Sequence, residues 1–352
     1  ARMGTGHLGR IQQITTYDDP AMVAAWRRAS ATRASYLAEP TARMLDLTRI
    51  APGHRVLVVG TGIGEEALAA ATRVGAAGEV VAIDVSAAMT AEAIRSVATA
   101  GASNVRCLVM DAQDLKFRPS TFDAVISRNT LMFIPDLTLA LSEMNRVLKW
   151  KGRIAATVWA SARRNPRLSG PLEAAQALGV RRLPTATFRI ALRLGAPSLL
   201  ATALRVGGFS EVAVERWPVV ARYETVTAAV EQAMDHVGTR ELMELISRDS
   251  ERRMSRSLAQ RWQKYVVQAG VNLPGEQLVA AGAKLRHVPT APSDSDSHAA
   301  KGVRGRVAQA PPPGSRPTPQ SSGRHAFPTT HATQCPRSGH PSRPPGTPTR
   351  AP

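Results

Sequence analysis

Short apolar runs recur along the first half of the chain, at 55–59 (RVLVV), 79–85 (EVVAIDV), 104–110 (NVRCLVM), 122–127 (FDAVIS) and 153–159 (RIAATVW). Val and Ile dominate them at consecutive positions, the pattern of strands buried on both faces of a parallel sheet. Helix-length stretches separate the runs, among them 137–148, so strands and helices alternate. That alternation predicts an α/β fold with a doubly wound sheet. Residues 20–47 read as helices leading into the sheet. After Trp159 a polar loop (ASARRNP) precedes helices around 170–179 and 197–206. Residues 211–216 read as strand six, extended by 219–223, and 226–268 is helical in pattern. Within that block Met254, Leu258 and Trp262 form one apolar face, a core contact.

The first strand runs straight into Gly60, Gly62 and Gly64 and then Glu65-Glu66. Glycine lacks a Cβ and accepts positive φ, so such a turn brings backbone close to a ligand. In a dinucleotide G-x-G-x-x-G turn the third glycine would stand where Glu65 is, and two acids in the first helical turn would repel a pyrophosphate. The Lys-Ser/Thr pair of a phosphate loop is also missing. A ligand with an adenosine and no phosphate fits better, and S-adenosylmethionine is the common one. Asp84 closes the second run 24 residues after Gly60, placed to accept ribose hydroxyls, although it could instead cap the helix that Ser86 already caps. Asp111, at the end of the third run, could accept from an adenine amino group.

These stretches, RVLVVGTGIGEEAL, VVAIDVSAAM, LVMDAQDLKF, FDAVISRNTLMFIPD and ALSEMNRVLKWKGRIAATVW, resemble those of class I S-adenosylmethionine-dependent methyltransferases, in the group similar to ubiquinone/menaquinone C-methyltransferases. The resemblance covers about residues 15–284. It implies a seven-stranded Rossmann-like sheet whose closing antiparallel strand, LPGEQLVAAGA, lies beside strand six, with the block at about 225–270 inserted as a helical lid. It places Gly60, Gly62 and Gly64, with Thr61 and Glu65, under the methionine part of the cofactor. Asp84 and Val85 fall at the ribose, Met89 against the adenine, Asp111 and Ala112 at its edge, and Ser127 with Arg128 at the methionine end. The family usually has an acid two residues before the first glycine. Val58 stands there instead, which removes an anchor for the ammonium unless Glu65 supplies one.

Domain boundaries are expected at 1–48 (N-terminal helices covering the site), 49–288 (methyltransferase domain) and 289–352. From Thr290 onward the last segment holds 13 of the 25 prolines with few large apolar residues, so it is expected to be disordered. Its eight Lys and Arg against two Asp carry six of the formal charge of +18. The rest of the basic excess raises the question of nucleic acid. The clusters ASARRNPR, VRRLP and SERRMSRS contain no interleaved aromatics, and Ser127-Arg128-Asn129-Thr130 is not a base-amine methylation motif, so solvated arginine faces are the simpler reading.

No apolar run reaches 18 residues, the first nineteen lack the apolar segment of a secretory signal, and only Cys107 and Cys335 are present. The expectation is a cytoplasmic enzyme with no membrane span and no metal site. Cys107, inside the third run, reads as a small buried hydrophobe. His236 is the candidate general base, should the acceptor need one, against the plainer reading of an idle surface histidine. Tyr17, Trp26 and Tyr36 could close over the cofactor or simply pack on the sheet. The function expected is methyl transfer to a small molecule of quinone or secondary-metabolite type, oxygen favoured over carbon or nitrogen. RNA or DNA methylation and non-catalytic cofactor binding are the alternatives.

Overall fold

The computed structural model describes residues 17–180, 189–243 and 246–285; the tail from 289 onward lies outside them. Five parallel strands form one side of the sheet: β1 (Arg55–Val59), β2 (Glu79–Asp84), β3 (Val105–Val109), β4 (Phe122–Arg128) and β5 (Leu148–Trp159). The spatial order is β3-β2-β1-β4-β5-β8-β6, where β6 is Ser210–Tyr223 and β8 is Gly270–Ala283. A two-residue β7 (Val266–Val267) also pairs with β8. β8 runs antiparallel between β5 and β6, so the closing strand lies beside strand six as expected.

Consecutive apolar residues are used on both faces. In β1, Leu57 and Val59 join one core while Val56 and Val58 join the other, and all four are at most 1% exposed. Of the helices α1 (Pro20–Arg28), α2 (Ser30–Leu47), α3 (Glu65–Val74), α4 (Ala87–Thr99) and α5 (Leu137–Val147), α3 and α4 pack on β1, β2 and β3, while α2 lies across β5, β8 and β6. Their starts follow side-chain capping: Asp19 accepts from Ala21 N–H at 2.9 Å, Ser86 from Met89 at 3.0 Å and Asp136 from Leu139 at 2.9 Å.

Proline marks where the sheet has unpaired edges. β6 continues as one strand through Pro218, which is tolerated because β6 is an edge strand with β8 as its neighbour. Pro274 of β8 lies beyond Gln277, the last residue that pairs with β5.

After β5 come α6 (Pro166–Ala177) and α7 (Pro197–Val206). The inserted block between β6 and β8 resolves into α8 (Val226–Met234), α9 (Val237–Met243) and α10 (Arg248–Trp262). Met254, Leu258 and Trp262 of α10 are buried, as their spacing predicts. They pack against α6, where a Cβ on Gly170 would come within 2.9 Å of Leu258. Among the described residues no helix is long and apolar enough to cross a membrane.

Candidate active site

At the carboxyl ends of β1, β2 and β4, where the strand order reverses, a cavity of about 1430 Å³ out to its open mouth collects most of the expected residues. Gly60, Thr61, Gly62, Glu65, Asp84, Val85, Met89, Asp111, Ala112 and Arg128 all line it. Ser127 does not. Its buried hydroxyl donates to the Val59 carbonyl at 3.1 Å. Gly64 is likewise outside the lining and starts α3 with φ +96°.

The three glycines answer to different neighbours. A Cβ on Gly60 would stand 2.2 Å from the Thr130 side chain, and one on Gly64 would meet the Ala93 backbone at 3.3 Å. Gly62, with φ +53°, has Trp26 Nε1 as its nearest neighbour at 3.8 Å. Gly60 and Gly62 both line the cavity, but only at Gly62 is the space over the backbone open, while a Cβ on Gly60 or Gly64 would press on the protein itself.

Asp84 ties this turn to the next helix. One carboxylate oxygen accepts the Gly62 N–H at 2.8 Å and the other the Ser86 N–H at 3.0 Å. Burial is the largest influence on its pKa and pushes it up, assisted by Asp18 and opposed by the backbone donors. Ser86 in turn donates to Asp18 at 2.7 Å, which anchors the segment before α1 beside the cavity. Asp111 accepts from the Gln113 N–H at 2.8 Å. The Thr61 hydroxyl is buried in the cavity wall with no hydrogen-bond partner among the described residues.

The two acids of the first α3 turn are not bare. Glu65 pairs with Arg33 at 2.6 Å, accepts from Ser30 at 2.7 Å and pairs also with Arg128; Glu66 pairs with Arg128. Burial works to raise the Glu65 pKa, but Arg33, Arg128 and Ser30 hold it below the usual carboxylate range. Burial dominates at Glu66 and pushes it up against the pull of Arg128. The expected repulsion of a phosphate by uncompensated carboxylates is corrected accordingly: two guanidinium groups balance them. Val58, which stands where the resemblance expects an acid, is fully buried in the apolar core on the opposite face from the cavity-lining Val59.

Tyr17, Trp26, Tyr36, Phe133 and Trp159 supply the apolar wall. Tyr17 meets Trp26 and Phe133 edge-on, with centroids 6.1 and 6.0 Å apart. His236 also lines the cavity, but from the turn between α8 and α9 rather than from within a helix. Burial, with the charge of Arg167 adding to it, pulls its imidazole down to about 3. His236 is thus held toward its neutral form, in the cavity wall where a general base was expected. Cys107 is half-buried at the edge of the second core, and burial raises its thiol pKa. Among the described residues no cluster of His, Cys, Asp or Glu is arranged to hold a metal.

Sequence reasoning missed Arg33, Phe133 and Arg167. Arg33 and Phe133 carry no local signature. Arg167 was read as part of a solvated basic cluster; Arg163 and Arg164 are indeed exposed, but Arg167 turns into the cavity.

A family model described as "Methyltransferase domain" matches residues 56–152. The nocamycin O-methyltransferase of Saccharothrix syringae is 33% identical over 192 residues, covering 52% of this chain and 68% of that protein. The chain belongs to the class I S-adenosylmethionine-dependent methyltransferases. This methyltransferase is also 36% identical to the aklanonic acid methyltransferase of Streptomyces sp. (strain C5) over 115 residues, 33% of this chain and 52% of that one. The demethylmenaquinone methyltransferase of Staphylococcus aureus (strain MRSA252) is 38% identical over 102 residues, 29% of this chain and 42% of that one. The chain thus spans about half the length of the curated relatives it matches.

Proposed function

We propose that this methyltransferase transfers a methyl group from S-adenosylmethionine to a small-molecule acceptor, with oxygen the favoured accepting atom. The observation that carries the reading is a single cavity that joins the Gly62–Asp84 corner to an aromatic chamber. The names of the relatives, two of them enzymes of secondary-metabolite type by those names, support a small acceptor over RNA or DNA.

The cavity residues fit the cofactor's chemistry. Asp84 keeps acceptor capacity for ribose hydroxyls, and the unpartnered Thr61 hydroxyl is available to a polar ligand group. Met89, Asp111 and Ala112 are assigned to the adenine. Arg33, Glu65 and Arg128 offer both signs of charge to a zwitterionic amino-acid end. When bound, S-adenosylmethionine supplies a methyl already activated on a sulfonium. The protein's work is then orientation and exclusion of water by Tyr17, Trp26, Phe133 and Trp159; orientation of this kind supplies roughly 7–11 kcal/mol. His236, held toward its neutral form by burial, takes up a proton poorly, so an acceptor that arrives ionised would not depend on it. Of the expected segments, we assign the described residues 17–48 and the block at about 225–270 as the two covers of the site, 49–285 as the catalytic domain, and the cytoplasm as its location, where Cys107 stays a thiol; residues 1–16 and 286–288 lie outside the described residues.

Calorimetry with S-adenosylmethionine, S-adenosylhomocysteine and NAD tests the reading. The first two should bind and NAD should not. Asp84→Ala should weaken binding by about 1.5–3 kcal/mol, roughly ten- to a hundredfold. Uptake of NAD without S-adenosylhomocysteine would overturn the assignment.

A further inference from the structure

Arg167 has no task in the cofactor reading. It stands in the first turn of α6, and its guanidinium carbon lies 5.2 Å from the Tyr36 ring centroid and 5.5 Å from that of Trp159. The other two arginines at the cavity, Arg33 and Arg128, are matched by Glu65 and Glu66. Arg167 has no carboxylate partner among the described residues; its polar neighbour is the Tyr223 hydroxyl, which itself donates to Gln232 at 2.8 Å. A partly buried cation without a counter-ion, flanked by ring faces, is an incomplete site.

Its place in the fold separates it from the cofactor corner. Asp84 ends β2 and Trp159 ends β5, three strand spacings apart, or roughly 14 Å. Arg167, Trp26, Tyr36 and His236 also line an adjoining cavity, whose other walls carry Glu231 and the Arg28–Asp235 ion pair, so an anion reaches Arg167 from the main cavity and not from this side.

We propose that Arg167 is the specificity-determining anchor of the acceptor, and that it takes a planar oxyanion, a carboxylate or an ionised enol or phenol, carried on a conjugated body. This inference rests on the methyl-transfer reading and names its substrate class. The guanidinium fork matches a two-oxygen or delocalised anion, while Tyr36 and Trp159 offer apolar faces to the ring system behind it. An anion held there does not depend on His236 as a base, because the acceptor's charge is supplied before methyl transfer and stabilised by Arg167.

The probes are 1-naphthoate and its neutral isostere 1-naphthamide, titrated into the full chain saturated with S-adenosylhomocysteine and followed by ligand-observed NMR. The wild type should prefer the naphthoate at least about tenfold. Arg167→Met should abolish the preference, and Arg167→Lys, which keeps charge but loses the fork, should keep part of it. Near-UV circular dichroism reports whether each variant is folded. Equal binding of the two probes to the wild type, no binding of naphthoate, or a preference that survives in folded Arg167→Met would overturn the proposal. So would a loss confined to S-adenosylhomocysteine affinity in that variant, which would place Arg167 at the cofactor's carboxylate. Failure of S-adenosylhomocysteine to bind the wild type would instead sink the methyl-transfer reading, and the naphthoate comparison without it would still judge the anchor.

Discussion

Replacing Arg128 by Met tests the buried ion cluster beneath the glycine turn. The Arg128 side chain is 8% exposed and that of Glu66 6%. Glu65 would keep Arg33 and Ser30, so the loss falls on Glu66, whose ion-pair partner among the described residues is Arg128. Stranding a buried carboxylate commonly costs about 3–5 kcal/mol. Here the penalty has a ceiling, because the carboxyl can escape by taking up a proton. With an ordinary pKa of 4.5, that escape at pH 7 costs about 3 kcal/mol, and at pH 5 less than about 1. The sign follows from linkage. A carboxyl whose pKa rises further on folding makes the folded state bind the extra proton, so the deficit of Arg128→Met is full at neutral pH and shrinks as pH falls toward 4.5. Urea unfolding followed by tryptophan fluorescence should show a loss of about 2–3 kcal/mol at pH 7, on the order of 5–10 °C in Tm, and little at pH 5. Adding Glu66→Gln should restore most of it at pH 7. A deficit independent of pH, or one that Glu66→Gln leaves untouched, would refute the reasoning.

Two further variants probe the turn and the cavity wall. His236 has a folded pKa of about 3, below its ordinary 6.5, so its stabilising effect is complete above 6.5 and is lost as pH falls toward 3, at about 1 kcal/mol per unit; His236→Gln should flatten that part of the stability-pH curve, and an unchanged curve would contradict the assigned burial. Gly62→Ala should cost only the roughly 1–2 kcal/mol of a left-handed residue, while Gly60→Ala adds a clash at 2.2 Å with Thr130 and should unfold at clearly lower urea; equal midpoints would mean that Thr130 yields freely.

The parallel half of the sheet was legible because burial on both faces demands the unbroken Val and Ile runs that the sequence shows. Strand ends were legible for the same reason: Asp84 and Asp111 follow directly on such runs. The amino-terminal extension of β5 was not, since Lys149, Trp150 and Lys151 are exposed and the strand is held by pairing across a bulge with β4. β6 was read as 211–216 with an extension at 219–223, and the strand runs through Pro218 between them because its edge position allows the proline. At the site, side chains carried by the strand-turn-helix unit could be found locally. Arg33 meets Glu65 across 32 residues, and Arg167 reaches Tyr36 from another layer, so neither meeting leaves a mark in the surrounding sequence.

The inserted helices leave and re-enter the sheet at one place. Tyr223 at the end of β6 is paired with Val271 near the start of β8, and Val271 pairs in turn with Val266 of β7, so the helices between β6 and β7 hang from adjacent rungs of one ladder. Such a block behaves as a cassette: it can be swapped, lengthened or shortened with only a slowly growing closure entropy and no change of strand register. What any replacement must preserve is the footprint of Leu258 and Trp262 on Gly170. Chimaeras that graft a foreign cap between residues 223 and 270 while keeping that contact offer a route to new acceptors on an unaltered cofactor-binding half.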